Sequence, residues 1–333
     1  MKKRIGFKKR LAVLGLILGM IAAMFGGCGT ADKDTSAVRI GSLKGPTSMG
    51  LLFLMDKSEK GESEGNYEFQ MAAAADEILP LMVKGDMDVA LLPANVASVL
   101  YAKTGGNICV IDINTLGVLY MVSGDESLKE FADLKGKTIY LTGQGTTPDY
   151  VLRYLLVSNG MTTDEVKLEY KSEATEVAAV LAEDESAVGL LPQPFVTAAC
   201  AQNESLSVIM DMTKEWNSVQ GENGSSLITG VTVANKDFLK EHEGAIHTFL
   251  KEHKESAQAI NENPAEGASL AAAAGIVAKE GIAQKAIPQC NITYVDGADM
   301  KSALSGYLRV LYEQAPESVG GALPGDDFYY EAE

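Results

Sequence analysis

The chain has 333 residues, 28 Lys+Arg against 45 Asp+Glu for a formal net charge of −17 at pH 7, and 46% hydrophobic residues. The acidity excludes a basic nucleic-acid surface, and the length leaves room for two domains. Four cysteines and three histidines fall in no zinc-ligand spacing, so neither a metal nor any other cofactor is expected.

The first ten residues carry Lys2, Lys3, Arg4, Lys8, Lys9 and Arg10, and an uncharged apolar run, LAVLGLILGMIAAMF, fills 11–25. Such a run is shorter than the ~20 residues that a membrane span prefers, so 1–27 reads as an export signal. Removing it takes the net charge to −23. Gly26-Gly27 before Cys28 resembles a bacterial lipoprotein cleavage box, which implies a lipid on Cys28 and a flexible tether over 28–37. An acidic body of this kind must build any anion site locally, from helix ends.

A strand is expected over 38–43, then Gly45, the small hydroxyl residues Thr47 and Ser48, and a helix over 46–56. Residues 67–72 read as a second strand, and 75–84 as a helix closed by Gly85. The run 88–92 is continuously apolar, as a parallel strand buried on both faces should be. A helix over 94–101 has Asn95 at its start, where capping and ligand contact are both open. A strand over 107–114 and an apolar run over 116–122 follow.

A short helix over 127–134 leads to TIYLTGQGTTPDYVLRYLL, residues 138–156. This is again strand, glycine turn and helix, with Thr146 or Thr147 as N-cap and Pro148 at an early helical position. Such a start offers N–H groups and the positive dipole end to a small polar or anionic ligand. It echoes 40–54: Gly45 and Gly145 lie 100 positions apart, and Leu92-Pro93 matches Leu191-Pro192 at an offset of 99. Two matched units at one offset predict two α/β lobes of similar plan, each a doubly wound sheet with ligands at the carboxyl ends of its strands. The second lobe continues with a strand over 166–171, a helix over 175–182, the strand 187–191, a helix starting at 193–195 and a strand over 206–212. The single tryptophan, Trp216, follows, with ligand cover and plain packing equally open.

A strand over 227–234 can cross back to the first lobe. The remainder reads as helices over 236–242, 244–261, 265–274 and 299–314, with a tail that is surface-docked or frayed. His242, His247 and His253 fall in this charged region on different helix faces and read as a solvated helix. Cys109 and Cys200 read as buried small hydrophobes.

LKGKTIYLTGQGTTPDYVLRYLL, VKGDMDVALLPANVA, GLLPQPFVTAA and the segment Met212 to Trp216 resemble blocks of the solute-binding lipoproteins of nitrate, sulfonate and thiamine-precursor ABC importers. The resemblance covers most of 38–310. It implies a type II periplasmic-binding-protein fold, with 38–120 and 228–333 as one lobe, 121–227 as the other, and hinge crossings near 116–123 and 225–231. By position it implies a ligand shell of Pro46, Thr47, Ser48, Met49 and Asn95 from the first lobe. Gly145, Thr146, Thr147 and Gln193 would come from the second, with Trp216 a further member. It implies no catalytic residue. The partners would be a small solute and a membrane permease, with the protein a monomer held at the extracytoplasmic face. No basic side chain takes a secure place in that shell: Lys44 stands beside a turn, and Arg153 lies nearly two turns into its helix. An enzyme on the same fold, of the pyrimidine-precursor-synthase kind, is the competing function and requires a reactive His or Cys at the cleft.

Overall fold

The computed structural model describes residues 34–221 and 224–331. The signal, Cys28 and the tether up to residue 33 lie outside the described residues. From Ser36 the chain forms one unit. Its strands are Ala37–Leu43 (β1), Asn66–Ala72 (β2), Val89–Pro93 (β3), Ile108–Leu116 (β4), Leu119–Ser123 (β5), Thr138–Leu141 (β6), Lys167–Tyr170 (β7), Val188–Pro192 (β8), Ser207–Asp211 (β9), Ile228–Asn235 (β10) and Ile292–Val295 (β11). They build a six-stranded sheet ordered β11-β4-β10-β3-β1-β2 and a five-stranded sheet ordered β7-β6-β8-β5-β9. In each sheet three strands run parallel and one strand enters antiparallel beside them, β10 against β3 and β5 against β8.

The internal echo is a structural one. Ile40 pairs with Phe69 and with Val89, and Ile139 pairs with Leu168 and with Val188, so each partner is displaced by the same 99 positions. The apolar runs VALLP and VGLLP are buried at their first four positions, because helices cover both faces of a parallel sheet. The chain passes from β4 to β5 through Gly117 and Val118, and returns from β9 through the helix Met212–Gln220 to β10. Both passages leave one sheet and enter the other.

Several local expectations change. The first helix breaks into Pro46–Met49 and Leu52–Glu59. At the break, Gly50 leaves room for β11: a Cβ there would stand 3.3 Å from Ile292 Cγ2. Of 127–134, only Phe131–Leu134 is helical, as one 3₁₀ turn. The strand β11 and the helix Glu280–Ala286 were not anticipated. The tail is held rather than frayed: Phe328 is buried, and the Tyr330 N–H donates to Val110 O at 2.9 Å.

The region around the histidines is not simply a solvated helix. On Glu243–Glu262, His253 is fully buried, stacks on Phe249 and places Nδ1 3.1 Å from Asp112 Oδ2. The charged neighbours of His253 in sequence hide an apolar stripe of Ile246, Phe249, Leu250, Ala257 and Ile260 that docks on the first sheet.

The same helix carries Glu252, 2% exposed, which ties it to the loop before β2. Its carboxylate accepts from Lys57 Nζ at 2.7 Å, from the Glu64 and Gly65 N–H groups at 3.0 Å and from Tyr67 OH at 2.8 Å. Burial alone would raise the carboxyl, but these four donors outweigh it and hold it at about 2. A carboxyl depressed from its ordinary ~4.3 stabilises the fold above that value and loses the contribution as pH falls toward 2. Glu252→Gln should therefore cost on the order of 2–3 kcal/mol at neutral pH. The variant and the parent should converge in urea-unfolding stability as pH falls toward 2.

Candidate functional site

A cleft of about 850 Å³ opens where the carboxyl ends of β1 and β3 face those of β6 and β8. Its walls repeat the internal echo: 43–47 and 73–75 from one sheet stand opposite 142–144, 146–148 and 172–175 from the other. Pro93 and Pro192, each ending its strand 99 positions from the other, also line it. Phe195 and Ala198 on the helix Phe195–Gln202, and residues 275–278 after the helix Pro264–Ala273, complete the wall. Thr229, near the start of β10, is part of the lining, and its Oγ1 is closed to solvent with no hydrogen-bond partner.

Of the residues expected around a ligand, Pro46, Thr47, Thr146 and Thr147 line the cleft. Their hydroxyls already have local acceptors. Thr47 Oγ1 donates to Leu43 O at 3.3 Å, Thr146 Oγ1 to Gly143 O at 2.7 Å, and Thr147 Oγ1 to Asn95 Oδ1 at 3.4 Å. Thr146 is the N-cap residue of Thr147–Ser158 and Pro148 sits in its first turn, but the Thr146 hydroxyl turns back to the glycine loop instead of capping the helix.

The others lie off the cleft wall. Ser48 bonds Ser42 Oγ and Leu43 O, and Met49 packs among Leu52, Ala257 and Ile260. Fully buried Asn95 donates through Nδ2 to Gly145 O at 3.2 Å and Ser318 O at 3.1 Å, joining the start of Ala94–Lys103 to the turn of the other sheet. Gly145 has φ +71°, a left-handed conformation that glycine adopts freely. Gln193 accepts from Thr197 Oγ1 at 2.8 Å and donates to Gln289 Oε1 at 3.2 Å. Trp216 is fully buried between Tyr154 and Tyr307, with ring centroids at 4.8 and 5.5 Å, and its Nε1–H donates to Ser225 O at 2.7 Å. It is a core residue, not part of the cleft wall.

Asp149, 4% exposed at the third position of Thr147–Ser158, fixes the cleft turn. It accepts the Gly145 N–H at 2.9 Å, Arg153 Nε at 2.6 Å and Tyr170 OH at 2.7 Å. Burial and this bond push the Tyr170 hydroxyl up to about 12. The helix start thus carries its own anion, and Arg153 is engaged by that anion rather than by the cleft. Among the lining residues Lys44 is the cation, while Asp76 and Glu173 are carboxylates; no histidine or cysteine takes part. Among the described residues no group of His, Cys, Asp and Glu is placed to hold a metal ion. Sequence reasoning missed Thr229 and Asp149. For Asp149 a signal was present, an acidic residue in the first turn after a Thr-Thr-Pro start.

Residues 79–267 match the family model described as NMT1/THI5 like, which is more than half of the chain. Curated binding proteins of Brucella abortus, Brucella suis and Brucella melitensis are 33% identical over 91 residues, which is 27% of this chain and 28% of their own length. Among solved structures, an ABC transporter protein from Parabacteroides distasonis superposes with TM-score 0.74 at 24% identity, over 90% of this chain and all of that one. The periplasmic aliphatic sulphonate binding protein SsuA of Escherichia coli gives 0.69 at 16% identity, over 89% and 94%. The periplasmic nitrate-binding protein NrtA of Synechocystis PCC 6803 gives 0.56 at 14%, over 72% and 66%. The two-sheet α/β fold is therefore that of the periplasmic binding proteins.

Asp149→Ala leaves the Gly145 N–H, the Tyr170 hydroxyl and Arg153 without their shared acceptor. The expected loss is about 1–3 kcal/mol, read as a lower urea midpoint at unchanged slope.

Proposed function

The chain belongs to the NMT1/THI5-like family, and from that premise we propose that it is the extracytoplasmic solute-binding component of an ABC importer. The observation that carries this reading is the cleft of about 850 Å³ enclosed by matched strand-end turns of two sheets. Its volume falls in the range of organic-ligand pockets, roughly 300–1,000 Å³. Residues 38–120 with 228–333 act as one lobe and 121–227 as the other. They pivot on the passages at 116–123 and 225–231 and close on the solute, and the closed form is read by the membrane permease. The protein works as a monomer, tethered through a lipid on Cys28. Among the described residues no helix is long and apolar enough to cross a membrane.

Within this reading the turn Gly143 to Thr147 and its counterpart Lys44 to Thr47 are the two jaws. Pro46, Thr47, Thr146 and Thr147 meet the solute directly. Ser48, Met49, Asn95, Gly145 and Gln193 hold those turns in place. The lining lacks the histidine or cysteine that the competing enzyme would need at the cleft, which favours capture over turnover.

Two measurements test the proposal. Native mass spectrometry of protein purified from its source should show a bound small molecule, and adding that molecule should raise Tm and contract the radius of gyration in small-angle scattering. Ala179→Trp fills the cleft from an exposed wall position, so it should abolish the Tm shift while leaving the unliganded Tm within a few degrees. A Tm shift of parental size in the variant would overturn the assignment of this cleft.

A further inference from the structure

Three helices open their N-terminal ends toward the cleft, and each is already supplied with an internal anion. Glu77, third in Ala75–Lys84, folds back so that Oε1 accepts the Ala73 and Ala74 N–H groups at 3.0 and 3.2 Å. Glu176, third in Ala174–Glu183 and 99 positions on, accepts the Ser172 N–H at 3.1 Å. Asp149 does the same for Gly145. Each carboxylate takes an N–H group just ahead of its helix and sets a negative charge at the positive dipole end, which opposes an oxyanion there.

The charge in front of these helix starts has the same sign. Asp76 and Glu173 stand in the cleft wall with no ion pair among the described residues, where Glu173 accepts only from Thr175 Oγ1 at 3.2 Å. Lys44 is the single lining cation. The remaining wall mixes hydroxyl and amide groups, among them Gln144, Ser172 and Gln202, with an apolar part formed by Leu43, Phe195, Ile276 and Val277.

Resting on the receptor reading above, we infer that the solute is an organic cation, an ammonium- or amidinium-bearing molecule with an apolar body, and that the cleft rejects small oxyanions. The low-dielectric walls focus the field of the carboxylates on the cleft, and the overall acidity of the chain draws cations toward it. The apolar body fills the aliphatic surface, and the cationic end lies between Asp76 and Glu173, one from each side, with Phe195 as a cation–π platform.

The test is calorimetric titration with two flat probes of matched shape and opposite charge, benzamidine and benzoate, together with nitrate, ethanesulfonate and uncharged uracil. Benzamidine should bind at least about tenfold more tightly than benzoate, and its affinity should fall between low salt and about 0.15 M salt. Asp76→Asn with Glu173→Gln, two exposed positions, should reduce benzamidine binding about tenfold and narrow the gap to benzoate. Tighter or equal binding of benzoate, nitrate, ethanesulfonate or uracil overturns the inference and leaves the receptor reading intact. A preparation that holds no small molecule in native mass spectrometry and binds no probe overturns the receptor reading, and the inference with it.

Discussion

Every backbone N–H and C=O buried in a sheet must find a partner, and here one inner strand of each sheet is delivered from across the molecule. In the first sheet β10 lies between β3 and β4 and completes both ladders, with Val231 opposite Leu92 on one side and Ile113 on the other. In the second sheet β5 takes the same place between β8 and β9, with Tyr120 opposite Leu191 and Asp211. Each of these strands follows a passage from the other sheet. The two passages therefore belong to the hydrogen-bonded framework itself, and the strand ends they bring together define the cleft.

Around that framework the chemistry is arranged by helix termini. Strand-end turns would ordinarily present bare N–H groups to the space between the sheets. In this chain Glu77, Asp149 and Glu176 take those groups first. Asp149 is itself held by Arg153 and Tyr170, so the turn that faces the cleft is stiffened from behind and its basic residue is drawn away from the opening. Asn95 ties the same turn to the opposite side.

Much of this was legible in the residues because burial on both faces of a parallel strand leaves a plain record. VALLP and VGLLP are apolar without alternation, and their offset of 99 is the register offset of the sheets. The cleft-facing turns were legible for a related reason: glycines and small hydroxyl residues gather where the backbone must turn tightly. Side-chain direction was not legible. Ser48 and Met49 lie one and two residues past the cleft-lining Thr47, and helical geometry points them into the core. For Trp216 the polar sequence neighbours left ligand cover and plain packing equally open, and its face of the helix turns to Tyr154 and Tyr307. Thr229 reaches the cleft wall through the strand order, which its sequence neighbours do not reveal, and β11 is too short to show a pattern.

The order of strands also sets the order in which the molecule can be finished as the chain emerges. The second sheet uses only residues 119–211, an unbroken stretch whose pairings reach no further than from Tyr120 to Asp211. The first sheet begins with residue 37 but lacks its bridging strand until residue 235, and its last cover, Phe328 and Tyr329, arrives almost at the carboxyl end. β1, β2 and β3 can pair with one another early, but β3 and β4 wait for the strand that lies between them until residues 228–235 are made. A chain built this way keeps its larger sheet open while the smaller one is already complete in sequence.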